Sequence, residues 1–379
     1  MINRQLEALI DEKLFKGKAI VIIGPRQVGK TTLLKDICRK VNKNVLWLDG
    51  DEPDVRQQYS HVTSTALKQK LAPFDVVIID EAQRISNVGL TIKLIIDNIP
   101  DIQVIVSGSS ALELTQQVNE PLTGRKFEYS MFPISYKEHV DHFGTMETSR
   151  LLESRLIFGM YPDVINHPGE EQEVLRNLAS SYLYKDLFQM QDIRKPEQIE
   201  RLLLALALQV GSQVSYHELS KTLGIDLGTI QRYIHLLELA YIVFRLPSFS
   251  RNLRTELKKS RKIYFYDNGI RNAIIANYAP LKLRNDVGFL WENFLVSERV
   301  KFNSYEKYDA KLYFWRTQQQ KEIDLIEDYN GNLSAYEFKY SNKFVNKIKA
   351  PLSFVSSYPD AIFNVISPDN VDSFILKHA

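Results

Sequence analysis

AIVIIGPRQVGKTT (residues 19–32) runs from five consecutive apolar residues directly into a glycine-bearing turn that ends in a lysine and two threonines. Gly24, Gly29, Lys30 and Thr31 satisfy the spacing G-x-x-x-x-G-K-[ST], and the helix-compatible LLKDICRK follows at once. The glycines let the backbone curl until successive N–H groups and a helix N-terminus face a phosphate, where the helix dipole adds to the hydrogen bonds. Lys30 is expected to bring a compact positive charge to the β and γ phosphates of ATP. Thr31 offers a hydroxyl to Mg²⁺, an ion that prefers oxygen ligands. The candidate ATP/ADP cradle is therefore Gly24, Pro25, Arg26, Gln27, Val28, Gly29, Lys30, Thr31 and Thr32.

Outward from this loop, short β-branched runs alternate with polar, helix-like segments, as in a buried parallel sheet with crossover helices. The runs are AIVIIG (19–24), NVLWLDG (44–50), DVVIID (75–80), IQVIVSG (102–108) and the weaker KFEYSMF (126–132). The third ends in Asp80 and Glu81, where open α/β sheets bind their ligands. Asp80 is expected in the Mg²⁺ shell. Glu81 is expected to orient and polarise the attacking water, because phosphoryl transfer depends mostly on positioning and charge compensation. After the fourth run, Ser109 and then Ser107 are candidates to reach the γ phosphate, with helix capping by Ser109 or Ser110 as the plain alternative. Arg125, just before the fifth run, is either a finger for a neighbouring subunit's ATP or a surface arginine paired with an acid.

GPRQVGKTTLL, VVIIDEAQRI, VSGSS and LTGR followed by MFPISYKEH together resemble the AAA+ superfamily, in particular prokaryotic ATPases whose AAA domain precedes a C-terminal domain of uncharacterised function. The resemblance implies a five-stranded P-loop core with a helical lid, ATP hydrolysis and ring or helical homo-oligomers, with Arg125 in the finger position.

The bulk composition excludes several other classes. The chain has 379 residues, 44% of them hydrophobic and 25% charged, which is ordinary for folded domains and long enough for more than one core. A formal charge of +2 announces no nucleic-acid partner, so any such surface needs local clustering of basic residues. A single cysteine, Cys38, excludes an internal disulfide and a thiolate metal site. With no long apolar run, the expectation is a cytoplasmic protein with no membrane association.

Beyond residue 135 the spacing is helical to about 196, expected as a lid subdomain. Residues 197–265 read as three helices and a basic hairpin, the element order of a winged helix-turn-helix. Thr229, Gln231 and Arg232 on the third helix, with Arg251, Arg254, Lys258 and Lys259 in the strip FRLPSFSRNLRTELKKSRK (244–262), are candidate DNA contacts. A packing module with a solvated charge run is the plainer alternative.

In KEIDLIEDYNGNLSAYEFKY (321–340), Asn330-Gly331 between alternating runs signals a hairpin. Counting outward sets Asp324 opposite Glu337 and Glu322 opposite Lys339, with Ile323, Leu325, Tyr336 and Phe338 sharing the buried face. Two opposed carboxylates repel unless a cation or Lys339 compensates. With Glu292 on a preceding helix, Asp324, Glu337 and Lys339 resemble a PD-(D/E)xK nuclease site, and residues 266–379 are expected as a small α+β domain of that kind.

The fold expected is thus α/β: a P-loop ATPase core (1–135), a helical lid (136–196), a winged helix (197–265) and the nuclease-like domain (266–379). The leading function is ATP turnover coupled to DNA. An ATP-gated nuclease and a nucleotide-controlled scaffold that binds proteins are the alternatives.

Overall fold

Every apolar run of the N-terminal third becomes a strand of one sheet. The structure, a computed structural model, describes residues 2–108, 121–183, 195–249, 261–341, 345 and 347–376. Strands β1 (Ala19–Ile23), β2 (Val45–Asp49), β3 (Val76–Asp80), β4 (Gln103–Gly108) and β5 (Lys126–Ser130) lie in the order β2-β3-β4-β1-β5. All neighbours are parallel. β1, β3 and β4 are buried along their whole length, which is why their sequences are mainly apolar and not alternating. Val21, Ile23, Val77, Ile79 and Val106 pack with Ile92 and Ile95 of the helix Val88–Asn98 on one face. Because β4 sits between β1 and β3, the carboxyl ends of these three strands are neighbours, and that edge carries the site.

The chain divides into two units, residues 1–134 with 239–241, and residues 135–238 with 242–379. In the second, the helix Tyr136–Phe143 opens on a capping box between Ser135 and Glu138. The helix Thr145–Phe158, in the stretch expected as a lid, packs on the helix Asn268–Ile274. The amides of Asn268 and Asn272 donate to Leu156 O (3.2 Å) and Ile157 O (2.8 Å), and Met160 N donates to Asp267 Oδ2 (2.7 Å). The helices Pro196–Leu208, Tyr216–Leu223 and Leu227–Leu239 accompany an antiparallel sheet β6-β8-β7, made of β6 (Gln213–Val214), β7 (Val243–Pro247) and β8 (Arg261–Phe265).

The last sheet has the order β12-β11-β10-β9, with β9 (Lys311–Arg316), β10 (Glu322–Tyr329), β11 (Asn332–Phe338) and β12 (Ile362–Ile366). The β10–β11 turn falls at Asn330-Gly331, both with positive φ (52° and 87°), the geometry that favours these two residues. The expected sharing of one buried face needs correction: a register shift between Ile323 and Ile326 on the β9 side places Ile323 with Trp315, Ile326, Ala335 and Phe354. Tyr336 and Phe338 instead meet the ring of Phe374.

Candidate functional site

The loop after β1 closes into a nest that the fold leaves no room to vary. A Cβ on Gly24 would collide with the carbonyl oxygen of Met131, and Gly29 adopts φ 95° as it caps the helix Lys30–Val41. Pro25 and Val28 are buried, Arg26 is half-buried, and Gln27 and Thr32 are exposed. Lys30, only 5% exposed, folds back so that its ammonium donates to Gly24 O and Pro25 O, each at 2.8 Å. Its charge thus already lies inside the loop expected to cradle phosphate.

Asp80 ends β3 beside this loop. Its Oδ2 accepts from Thr31 Oγ1 at 2.7 Å, and its Oδ1 accepts from Ser107 Oγ and from the amide of Glu81 (3.2 Å). The β2-β3-β4-β1-β5 order makes this convergence inevitable, since Ser107 on β4 stands between β3 and β1. A hydroxyl and a carboxylate meeting at one point form an all-oxygen donor set, which fits Mg²⁺. Glu81 follows in a left-handed conformation (φ 49°), and its Oε2 accepts from Gln83 Nε2 at 2.6 Å.

Three further residues shape this site, and sequence reasoning assigned them no role. Gln83 holds the Glu81 carboxylate. Gly50, after β2, lies so close that a Cβ there would collide with the carbonyl oxygen of Glu81, and its amide donates to Asp80 O (2.8 Å). Arg4 donates to Val28 O (2.5 Å) and Phe132 O (2.6 Å), tying the phosphate loop to the chain beyond β5. Gln83 and Gly50 stand inside the quoted runs VVIIDEAQRI and NVLWLDG. Nothing in the sequence marks Arg4, whose partners lie far along the chain.

Ser109, favoured over Ser107 as the residue reaching the γ phosphate, lies outside the described residues, as does Ser110. Arg125 is half-buried and pairs with Asp97, Nε to Oδ1 at 2.7 Å, which raises its pKa.

The C-terminal candidates also come together, with a different partner at their centre. Lys262 of β8 is 1% exposed, and its ammonium lies 2.7 Å from Glu292 Oε1 and 2.6 Å from Glu322 Oε1. Tyr264 OH donates to the same Glu292 oxygen at 2.6 Å. Asp324 Oδ2 accepts from the amide of Phe338 (2.8 Å), and Lys339 pairs with Glu337 (2.7 Å). The expected Glu322–Lys339 pairing is not formed: Lys339 lies past the end of β11, and Glu322 pairs across β9 with Arg316 (3.2 Å). Burial and the charge of Asp324 push Glu292 up to about 7. Burial raises Asp324, and burial with the Asp324 charge raises Glu337. Lys262 is raised too: burial opposes its charge, but Glu292, Asp324 and Glu322 outweigh it. Among the described residues, no group of three or more His, Cys, Asp or Glu side chains is arranged to hold a metal.

Of the candidate DNA contacts, Gln231 and Arg232 are exposed on the helix Leu227–Leu239, and Thr229 is half-buried beside Asp226, which accepts from its amide at 2.9 Å. Arg251, Arg254, Lys258 and Lys259 lie outside the described residues. The rest of the strip is engaged: Arg245 pairs with Glu238 (2.5 Å), Arg261 lies over the ring of Tyr216 (4.8 Å), and Lys262 is buried. Lys262 is therefore no phosphate contact, because two carboxylates hold it inside the fold.

A parallel sheet in this order, a phosphate-cradling loop after β1 and a paired acid after β3 define a P-loop ATPase fold of the AAA type. Residues 16–140 match the family described as AAA domain, residues 149–282 match Domain of unknown function (DUF8612), and residues 287–367 match Domain of unknown function (DUF4143). An uncharacterized protein of Mycobacterium tuberculosis is 25% identical over 346 residues, covering 89% of this chain and 74% of that protein. An uncharacterized protein of Methanocaldococcus jannaschii is 22% identical over 408 residues, covering 99% of this chain and 89% of its own. Among solved structures, the Walker-type ATPase of Pyrococcus abyssi superposes with a TM-score of 0.50 at 15% identity, over 73% of this chain and 96% of that one, a likeness of fold. No helix among the described residues is long and apolar enough to cross a membrane.

Proposed function

We propose that the chain is a Mg²⁺-dependent ATPase that couples nucleotide turnover to DNA through its C-terminal half and works as a ring or helical homo-oligomer. The convergence of Thr31, Asp80 and Ser107 beside the loop that holds Lys30 carries this reading. In it, the loop amides and Lys30 bind the β and γ phosphates, and Lys30 stays with the γ phosphate as charge builds on its oxygens. Thr31 and Asp80 hold Mg²⁺, which when bound offsets negative charge on the phosphates. Ser107 fixes the Asp80 carboxylate. Glu81 orients the attacking water and accepts its proton, with Gln83 fixing the carboxylate so that Oε1 faces the water.

For the remainder we propose the lid, winged-helix and nuclease-like division set out above. The winged-helix part is supported by three helices followed by an antiparallel β7–β8 pair. The exposed Gln231 and Arg232 supply its groove-facing polar surface. Arg125, paired with Asp97 within its own subunit, acts on a neighbour's ATP once subunits assemble.

Steady-state ATPase assays with and without duplex and single-stranded DNA, alongside sedimentation with ATP, test the proposal. Turnover that rises with DNA and with assembly, and that is lost in Arg125→Ala while ATP affinity is kept, is expected. Slow turnover indifferent to DNA would remove the coupling.

A further inference from the structure

Glu292, Glu322, Asp324 and Glu337 face a steep cost if they share a small, largely buried space without positive charge. A nuclease of the type expected from the sequence meets that cost with a divalent metal. Here the charge is built into the chain. The Lys262 ammonium is 2.7 Å from Glu292 and 2.6 Å from Glu322, it is almost completely buried, and its ammonium stands 5.6 Å from the centre of the Phe314 ring. Tyr264 takes up the same Glu292 oxygen, and the Phe338 amide takes up Asp324 Oδ2. Two carboxylates gripping an ammonium at these distances are committed to it, whereas Mg²⁺ would require their oxygens at about 2.0–2.1 Å in an octahedral arrangement. Access is not the obstacle. Glu322 and Arg316 line an open cavity of about 690 Å³, together with Ser215, Glu218 and Gln320.

We propose that Lys262 is the resident counter-cation of this carboxylate cluster, a positioning residue that joins β8 to the helix Val287–Tyr305 and to β10, and that the cluster binds no divalent metal and cleaves no nucleic acid. The Asp, Glu and Lys spacing of a nuclease site is retained here as an internal joint. Lys262 reaches into it from a strand that precedes the whole C-terminal sheet, so the two modules hold each other in register.

The experiment uses the full chain without nucleotide. In Mn²⁺ titrations followed by electron paramagnetic resonance, wild type and Asp324→Asn should be indistinguishable. A Mn²⁺ site in wild type that Asp324→Asn abolishes would overturn the proposal, as would Mg²⁺- or Mn²⁺-dependent DNA cleavage lost in that variant. Lys262→Met should lower the unfolding midpoint by roughly 6 °C or more, because it strands buried carboxylates. Adding Glu292→Gln should restore most of that loss. Should Lys262→Met fail to fold, the double variant is expected to fold and thereby carry the same test. A Lys262→Met as stable as wild type, or a loss that Glu292→Gln does not relieve, would rule out the counter-cation role.

Discussion

Gln83 donates from Nε2 to Glu81 Oε2 at 2.6 Å, and this bond fixes the carboxylate proposed above to orient the attacking water. Gln83 is 7% exposed, so the packing around it limits the directions in which Glu81 can point. Glu81→Gln should bind ATP as wild type does and stop turning over, because an amide cannot take the proton. Gln83→Ala should leave ATP affinity unchanged and lower kcat by about 10-fold or more, since small misplacements of a catalytic group cost up to about 10²-fold. Steady-state kinetics with a parallel nucleotide-binding titration separates the two. Normal hydrolysis by Glu81→Gln would remove Glu81 from the mechanism.

Lys30 donates from its ammonium to Gly24 O and Pro25 O, both carbonyls of the loop it belongs to. Arriving phosphate oxygens must compete with those carbonyls, and they do so as charged acceptors, which make the stronger bond. Lys30→Ala should therefore weaken binding of a fluorescent ATP analogue on the order of 10²-fold, about 3 kcal/mol. Circular dichroism should show the fold intact. Undiminished binding would mean that the loop amides alone hold the nucleotide.

The candidate nucleotide site was legible because its parts are short, local and chemically exclusive: a glycine pair, a lysine and a strand ending in two acids. Burial on both faces writes β1, the first four residues of β3 and the centre of β4 as apolar runs, which few other environments require. What escaped were relations between distant residues. Arg4 and Val28 share a hydrogen bond that no local pattern predicts. Lys262 looked like one more cation in a basic strip, because its burial depends on carboxylates contributed by Glu292 and Glu322 much later in the chain. Likewise, β9 and the register shift at Ile323 depend on which strand becomes the neighbour of β10, which a hairpin signal leaves open.

Gly50 shows how tightly the end of β2 is pressed against the turn at Glu81. A Cβ there would run into the carbonyl oxygen of Glu81, a backbone atom that can give way only by moving the turn itself. Gly50→Ala should therefore shift Glu81 more than it disturbs the phosphate loop, lowering kcat by roughly 10-fold or more with little change in ATP affinity. Gly24→Ala, which collides with Met131 O beside the loop, should instead lose nucleotide binding. Comparing binding and turnover of the two variants checks the assignment, and a loss of affinity in Gly50→Ala would contradict it.

His139 gives the second unit a dependence on pH that can be isolated by substitution. The ring is fully buried, with Nδ1 2.9 Å from Thr148 Oγ1, and its pKa falls to about 4 through burial first, then through the charges of Arg155 and His142. In the unfolded chain the imidazole titrates near about 6.5, so between that value and 4 the unfolded state binds the extra proton and the folded state does not. Stability contributed by the neutral ring is therefore complete above pH 6.5 and declines as the pH falls towards 4. Thermal unfolding of the full chain at pH 7.5 and 5.0 should show a larger drop for wild type than for His139→Asn. The asparagine cannot titrate but retains a polar group to meet Thr148, so the difference between the two drops reports the imidazole alone. Equal drops in both proteins would place the pH sensitivity elsewhere in the fold.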